Sequence, residues 1–150
     1  RARRSRDQLA VIWIDLDNFK ALNDTHGHDV GDALLRRIAA RLRRTVRESD
    51  TVARLGGDEF VVLADGIADA EDALGIAQKV LDAIGEPVGL DALTWQVYAS
   101  VGVAIYPADA NTADTLLKHA DEAMYAAKRA GRARIQRATL ATANQSGQRA

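Results

Sequence analysis

The stretch Thr51-Val52-Ala53-Arg54-Leu55-Gly56-Gly57-Asp58-Glu59-Phe60-Val61-Val62-Leu63-Ala64 decides the fold, because it reads as two short strands that must run in opposite directions. Thr51 to Leu55 and Phe60 to Ala64 are rich in apolar and β-branched residues, and Gly56-Gly57-Asp58-Glu59 between them supplies the backbone freedom of a tight hairpin. Parallel neighbours need a long crossover, so a sheet built on this hairpin cannot be all parallel.

Working outward toward the N-terminus, Val30, Leu34, Leu35, Ile38, Leu42 and Val46 recur at helical spacing and predict an amphipathic helix over Val30 to Arg47. Asp17 to Asp29 is polar and rich in turn residues, read as loop or short turns anchored by Phe19 and Leu22. Leu9 to Leu16 (LAVIWIDL) is apolar on both faces, which predicts a central buried strand ending at Asp15. Toward the C-terminus, Ala70 to Ile84 reads as a helix with Asp69 as N-cap and Gly85 at its end. Thr94 to Tyr106 alternates cleanly and predicts one long strand with Trp95, Val97, Ala99, Val101, Val103 and Ile105 on a shared face. A third helix is expected over Thr112 to Ala130, striped by Leu116, Leu117, Ala120, Ala123, Met124 and Ala127, and Arg132 to Arg137 as a short last strand. The order β, α, β, β, α, β, α, β around a hairpin implies an α+β fold, a mixed and largely antiparallel sheet of roughly five strands covered by helices.

Bulk properties narrow the function. A chain of 150 residues with 47% hydrophobic content fits one domain, expected over 1–137, with the polar 138–150 as linker or tail. Twenty basic against 21 acidic side chains leave no global field to recruit nucleic acid or anionic lipid. No cysteine is present, which excludes disulfides, thiolate metal sites and cysteine nucleophiles together. The longest strongly apolar run, Leu9 to Ile14, is far below the roughly 20 residues of a membrane helix. The expectation is a cytoplasmic domain, alone or as the cytoplasmic part of a larger sensory or membrane-anchored protein, with no nucleic-acid or membrane partner within this chain.

Two clusters carry chemistry. Asp15-Leu16-Asp17-Asn18-Phe19-Lys20 sets two carboxylates and a lysine where a buried strand ends, a costly place for acids unless a cation compensates them, although loop capping fits equally well. Arg54-Leu55-Gly56-Gly57-Asp58-Glu59-Phe60 lets a backbone approach a ligand closely and projects acids from a hairpin tip, although a plain solvated turn fits too. His26 and His28 form a His-x-His pair without a third ligand to complete a zinc site.

Taken together these segments resemble the diguanylate cyclase (GGDEF) family. Arg54 to Phe60 is similar to the family's RLGGDEF signature, and Asp15 to Asp32 (DLDNFKALNDTHGHDVGD) to its metal-and-nucleotide segment. Ala99 to Pro107 (ASVGVAIYP) and Ala120 to Arg132 (ADEAMYAAKRAGR) extend the resemblance over about Leu9 to Gln136. It implies the nucleotide-cyclase or polymerase-palm (ferredoxin-like) architecture, with the signature on a central hairpin. The implied activity is condensation of two GTP into cyclic di-GMP and two pyrophosphates, by attack of each 3′-hydroxyl on the partner's α-phosphate across a homodimer.

The resemblance also implies residue roles. Asp15 and Asp58, with the carbonyl of Leu16, would hold two magnesium or manganese ions per site, and Glu59 would assist. Lys20, Lys128 and Arg132 would meet the phosphates, the latter two from one helix C-terminus, with Asn18 and Phe19 adding backbone donors. Asn23 and Asp32 match the pair that reads guanine, a carboxylate accepting from donors that adenine lacks. Arg47 and Asp50 match an RxxD site where the product inhibits. Two departures stand out: of the family's usual opening helix only a tail, Arg1 to Asp7, is expected, with no counterpart to its D-x-L-T-G-L-x-N-R segment, and Ala133 replaces the usual asparagine. The rival expectation is a catalytically silent GGDEF domain that senses GTP or cyclic di-GMP for an adjoining phosphodiesterase domain.

Overall fold

The computed structural model describes residues 8–138. Arg1 to Asp7, read as the end of an opening helix, and 139–150, read as tail, lie outside the described residues. The elements are β1 (Gln8–Leu16), α1 (Phe19–His26), α2 (His28–Thr45), β2 (Thr51–Gly56), β3 (Glu59–Ile67), α3 (Ala70–Ile84), β4 (Val88–Leu90), β5 (Leu93–Trp95), β6 (Ala99–Tyr106), α4 (Ala113–Arg129) and β7 (Ile135–Arg137).

One sheet of five strands runs β2-β3-β1-β6-β7, antiparallel except for β6 beside β7. The expected mixed, largely antiparallel sheet is therefore what forms. β1 sits at its centre because its residues are apolar on both faces. Ala10, Ile12, Ile14 and Leu16 join the core under α2 and α3, while Val11 and Trp13 face the smaller core under α4. Leu34, Leu35, Ile38 and Leu42 of α2, and Ala73, Ile76, Ala77, Val80 and Ile84 of α3, close the first face. Leu116, Ala120 and Ala123 of α4 close the second. β6 meets α4 through Gly102, where a Cβ would stand 2.1 Å from the Ala120 carbonyl oxygen and 2.2 Å from the Met124 nitrogen. No side chain fits there, so the glycine sets the distance between helix and sheet.

Five expectations need correction. The turn-rich segment 17–29 contains a helix, α1, because Phe19 is buried and Leu22, one turn later, packs on the same core. Tertiary burial outweighs the weak helix preference of Asn23, Asp24, Thr25 and His26. The predicted strand over Thr94 to Tyr106 is broken: Leu93–Trp95 pairs with Val88–Leu90 in a separate hairpin, and β6 begins only at Ala99. Its turn, Asp91-Ala92, has φ of 50° and 68°, a conformation that alanine seldom signals in sequence. Leu117 is 39% exposed and lies off the buried stripe of α4. Arg132 is not on the helix with Lys128, since α4 ends at Arg129 and Arg132 has φ 66°. Ala138, placed at the start of the tail, is buried and donates its N–H to the Val103 carbonyl at 2.7 Å.

Candidate active site

The hairpin tip is built by backbone and one arginine. Gly56 pairs with Glu59 and leaves Gly57-Asp58 as a two-residue turn, with φ of 131° at Gly56 and 50° at Gly57. Those angles suit glycine and penalise any residue with a Cβ. Arg54 braces the turn by donating from Nε and a terminal nitrogen to the Gly57 carbonyl at 3.1 and 3.0 Å. The turn is tied to the central strand where Leu16 N–H donates to the Asp58 carbonyl at 3.1 Å.

Sheet register then gathers the acids. Asp15 lies directly opposite Glu59 on β3 and opposite Ser100 on β6. Asp58 follows from the adjoining turn, and ligand atoms of Asp15, Asp58 and Glu59 fall within 4.8 Å of one another. Trp13, on the same face of β1 as Asp15, donates its indole N–H to Glu59 Oε1 at 3.1 Å and fixes that side chain. Burial, and secondarily the charges of Asp58 and Glu59, push the Asp15 carboxyl from 3.8 up to about 6, against the lowering influence of Lys128.

Lys128 reaches this cluster from α4, with Nζ 3.5 Å from Asp15 Oδ1 and 3.3 Å from Asp17 Oδ1. Asp17 takes no part in the three-carboxylate cluster. Its Oδ1 also accepts from the Ser100 hydroxyl at 2.7 Å and its Oδ2 from the Ala133 N–H at 3.0 Å. One carboxylate thus ties the end of β1 to β6, to α4 and to the left-handed turn at Arg132-Ala133.

On the other side of the hairpin a cavity of about 340 Å³ opens, within the range of small-molecule sites. Phe19, Lys20, Asn23, His28, Asp32, Leu35, Arg54, Gly57 and Asp58 line it. Asn23 Oδ1 is buried with no hydrogen-bond partner among the described residues. Lys20, Asn23 and Asp32 are thus brought together beside Asp58. Asn18 adopts φ 59° and caps α1 through its carbonyl, and does not line the cavity. Lys128 stands at the acid cluster, and Arg132 lies beyond its helix with its N–H donated to the Ala127 carbonyl.

Arg47 and Asp50 lie at the opposite end of β2 from the turn and are engaged with each other. Arg47 Nη2 is 2.9 Å from Asp50 Oδ1, its backbone N–H donates to Asp50 Oδ2, and Nη2 also donates to the Asp65 carbonyl. Hydrogen bonding to Asp50 raises the Arg47 guanidinium above its ordinary value. Among the described residues no other group of three His, Cys, Asp or Glu ligands converges, and His26 instead meets the Trp95 ring edge-on at 4.5 Å.

Arg54 and His28 are wall residues that sequence reasoning had not assigned to the site. Arg54 was within reach, since it opens the seven-residue signature; His28 was set aside with the zinc question.

Comparison with known proteins decides the family. Residues 1–134 match the family model described as diguanylate cyclase, GGDEF domain. The chain belongs to the GGDEF family. It is 48% identical over 132 residues to the diguanylate cyclase TpbB of Pseudomonas aeruginosa, an alignment covering 87% of this chain and 30% of that protein. It is 46% identical over 131 residues to MucR of the same organism, a bifunctional diguanylate cyclase/cyclic di-GMP phosphodiesterase, covering 87% of this chain and 19% of MucR. The GGDEF domain of TpbB, solved by crystallography, superposes with TM-score 0.87 at 47% identity, covering 93% of this chain and 87% of that one. The chain thus spans less than a third of these curated relatives, 30% and 19% of their lengths.

Proposed function

We propose that this GGDEF chain is the nucleotidyltransferase domain of a diguanylate cyclase. It binds GTP, and two such domains face one another so that each 3′-oxygen bonds to the partner's α-phosphorus. Each pyrophosphate then leaves as its P–O bond breaks, and cyclic di-GMP closes. One juxtaposition supports this reading above all: Asp58 belongs both to the three-carboxylate cluster and to the wall of the cavity holding Lys20, Asn23 and Asp32.

The cluster suits a hard divalent ion. Three carboxylates compete for one position, and the raised Asp15 carboxyl reports a charge that a cation would relieve. Asp15 and Asp58, with the Leu16 carbonyl, would hold magnesium or manganese, and Glu59, fixed by Trp13, adds a further oxygen. Bound there, the ions would polarise the α-phosphate and lower the pKa of the attacking hydroxyl.

The remaining work falls to the chain's own groups. Lys20 contributes charge to the phosphates from the cavity wall, and Lys128, within 3.5 Å of Asp15, does so from α4. Arg132 adds a third cation from the turn after α4. The first N–H groups of α1, around Asn18 and Phe19, have no helical acceptors and serve the same anion. Asp32 accepts from guanine N1 and N2, and Asn23 serves the remaining edge. Arg47 and Asp50 would take the product, exchanging their mutual ion pair for contacts to it. Because one domain holds half of a reaction centre, dimerisation is part of the mechanism.

The test is a GTP assay with magnesium on the full-length protein, with product identified chromatographically over a range of protein concentrations. Cyclic di-GMP formation that rises faster than linearly with protein, and is lost in Asp58→Ala, is the expected result. Guanine-nucleotide binding without turnover would instead assign a silent sensor, and absence of both would end the reading.

A further inference from the structure

We infer that Gly31 is a specificity-determining residue: its missing side chain is the space in which the Asn23 amide is held for base recognition. This rests on the reading of the cavity as a guanine site. Gly31 lies inside α2, one turn from its start, and is buried. Glycine at such a position costs about 1 kcal/mol in helix propensity relative to alanine. Its φ is not in the left-handed region, so backbone geometry does not call for it.

What calls for it is Asn23. A Cβ on Gly31 would stand 1.7 Å from Asn23 Oδ1, 2.8 Å from Cγ and 3.3 Å from Nδ2, and these are the nearest obstacles. No backbone atom is among them. At Gly102, by contrast, the nearest atoms are all backbone of α4. A methyl at 31 therefore leaves the helix and core in place and evicts one flexible amide.

The evicted group is unusual in its own right. Among the described residues Asn23 Oδ1 is buried without a partner, an arrangement that costs stability and is retained where the group serves something other than folding. The amide sits on α1 and is pressed against α2, so two elements fix it before any ligand arrives. Pre-organised in this way, it needs no rotamer ordering on binding. Asp32 is the next residue after Gly31, so the same turn of α2 presents the carboxylate and seats the amide.

The experiment compares GTP, ATP and inorganic tripolyphosphate binding, each with magnesium, to the full-length wild type, Gly31→Ala, Asn23→Ala and the double variant. Gly31→Ala should keep or raise the melting temperature, weaken GTP about tenfold, bring GTP closer to ATP, and leave tripolyphosphate unchanged. In the Asn23→Ala background the same methyl should have no further effect on GTP, because its target is gone. If Gly31→Ala lowers stability and Asn23→Ala restores it, the contact is again the cause. A wild type that does not prefer GTP over ATP overturns the guanine reading itself. A wild type that does, with a Gly31→Ala variant of unchanged preference or an additive double variant, overturns this inference alone.

Discussion

Burial and the nearby Asp58 carboxylate hold the Asp15 carboxyl near 6, above its ordinary 3.8. The linkage has a definite sign. Below about pH 4 both folded and unfolded chains are protonated at this site, and no cost is present. As pH rises the unfolded chain ionises first, so Asp15 draws the equilibrium toward unfolding until the folded group also ionises near pH 6. The cost is then complete, at most about 3 kcal/mol. Urea titrations without divalent cations should show Asp15→Asn gaining stability over the parent between pH 4 and 6, with a constant gap above. Magnesium should close that gap by stabilising the parent alone. Equal pH profiles for the two proteins would contradict the assignment. At Ala133 the backbone has φ 51°, which asparagine or glycine tolerates better than alanine. Ala133→Asn should raise stability by about 0.5–1 kcal/mol in thermal melts while keeping the N–H bond to Asp17.

At the level of elements, the site depends on how strands and helices are clamped. Gly102 lets α4 lie against β6, and the obstacles to a Cβ there are backbone atoms. Gly102→Ala must therefore separate helix from sheet and should cost roughly 2–4 kcal/mol in chemical denaturation. It should also reduce turnover, because Lys128 is carried on α4. The contrast with Gly31→Ala, where only a side chain yields, is visible in the melting temperature. The Asp17 carboxylate is the second clamp, joining β1, β6, α4 and the turn after it through Ser100, Lys128 and Ala133. Asp17→Asn keeps the shape but removes the charge that holds Lys128. The expected loss is on the order of 1–3 kcal/mol in urea unfolding, the usual range for breaking a buried charged hydrogen bond.

For the molecule as a whole, the two ends of β2 carry different tasks. Gly56 leads into the turn that bears Asp58, while Thr51 follows directly on the Arg47-to-Asp50 segment. Asp50's side chain is fully buried against a partly exposed Arg47. Among the described residues, Arg47→Ala leaves that carboxylate with only the backbone N–H of residue 47 as partner, and should destabilise by about 1–3 kcal/mol. The same variant should lose inhibition by added cyclic di-GMP while retaining initial turnover. Inhibition unchanged in this variant would remove Arg47 from the product site.

Much was legible in the chain alone because the signals are local. The apolar run of β1, the hairpin glycines, the Asp69 cap and the α2 stripe each declare themselves through period or turn chemistry within a few residues. The linked motifs around Asp15 and Asp58 pointed to the family by the same means. α1 was hidden because its helical state rests on burial of Phe19, a tertiary fact that overrides poor propensity. The β4–β5 hairpin was hidden because its turn is Asp91-Ala92, with no glycine to announce the positive φ. Composition and spacing by themselves determined the residue types available for metal, phosphate and base. Only the folded chain decided that β1 and β3 pair in the register that faces Asp15 with Glu59, and that Asn23 occupies the space Gly31 leaves. Those are contacts between residues far apart in sequence or on separate helices, governed by strand register and side-chain volume, which no local pattern encodes.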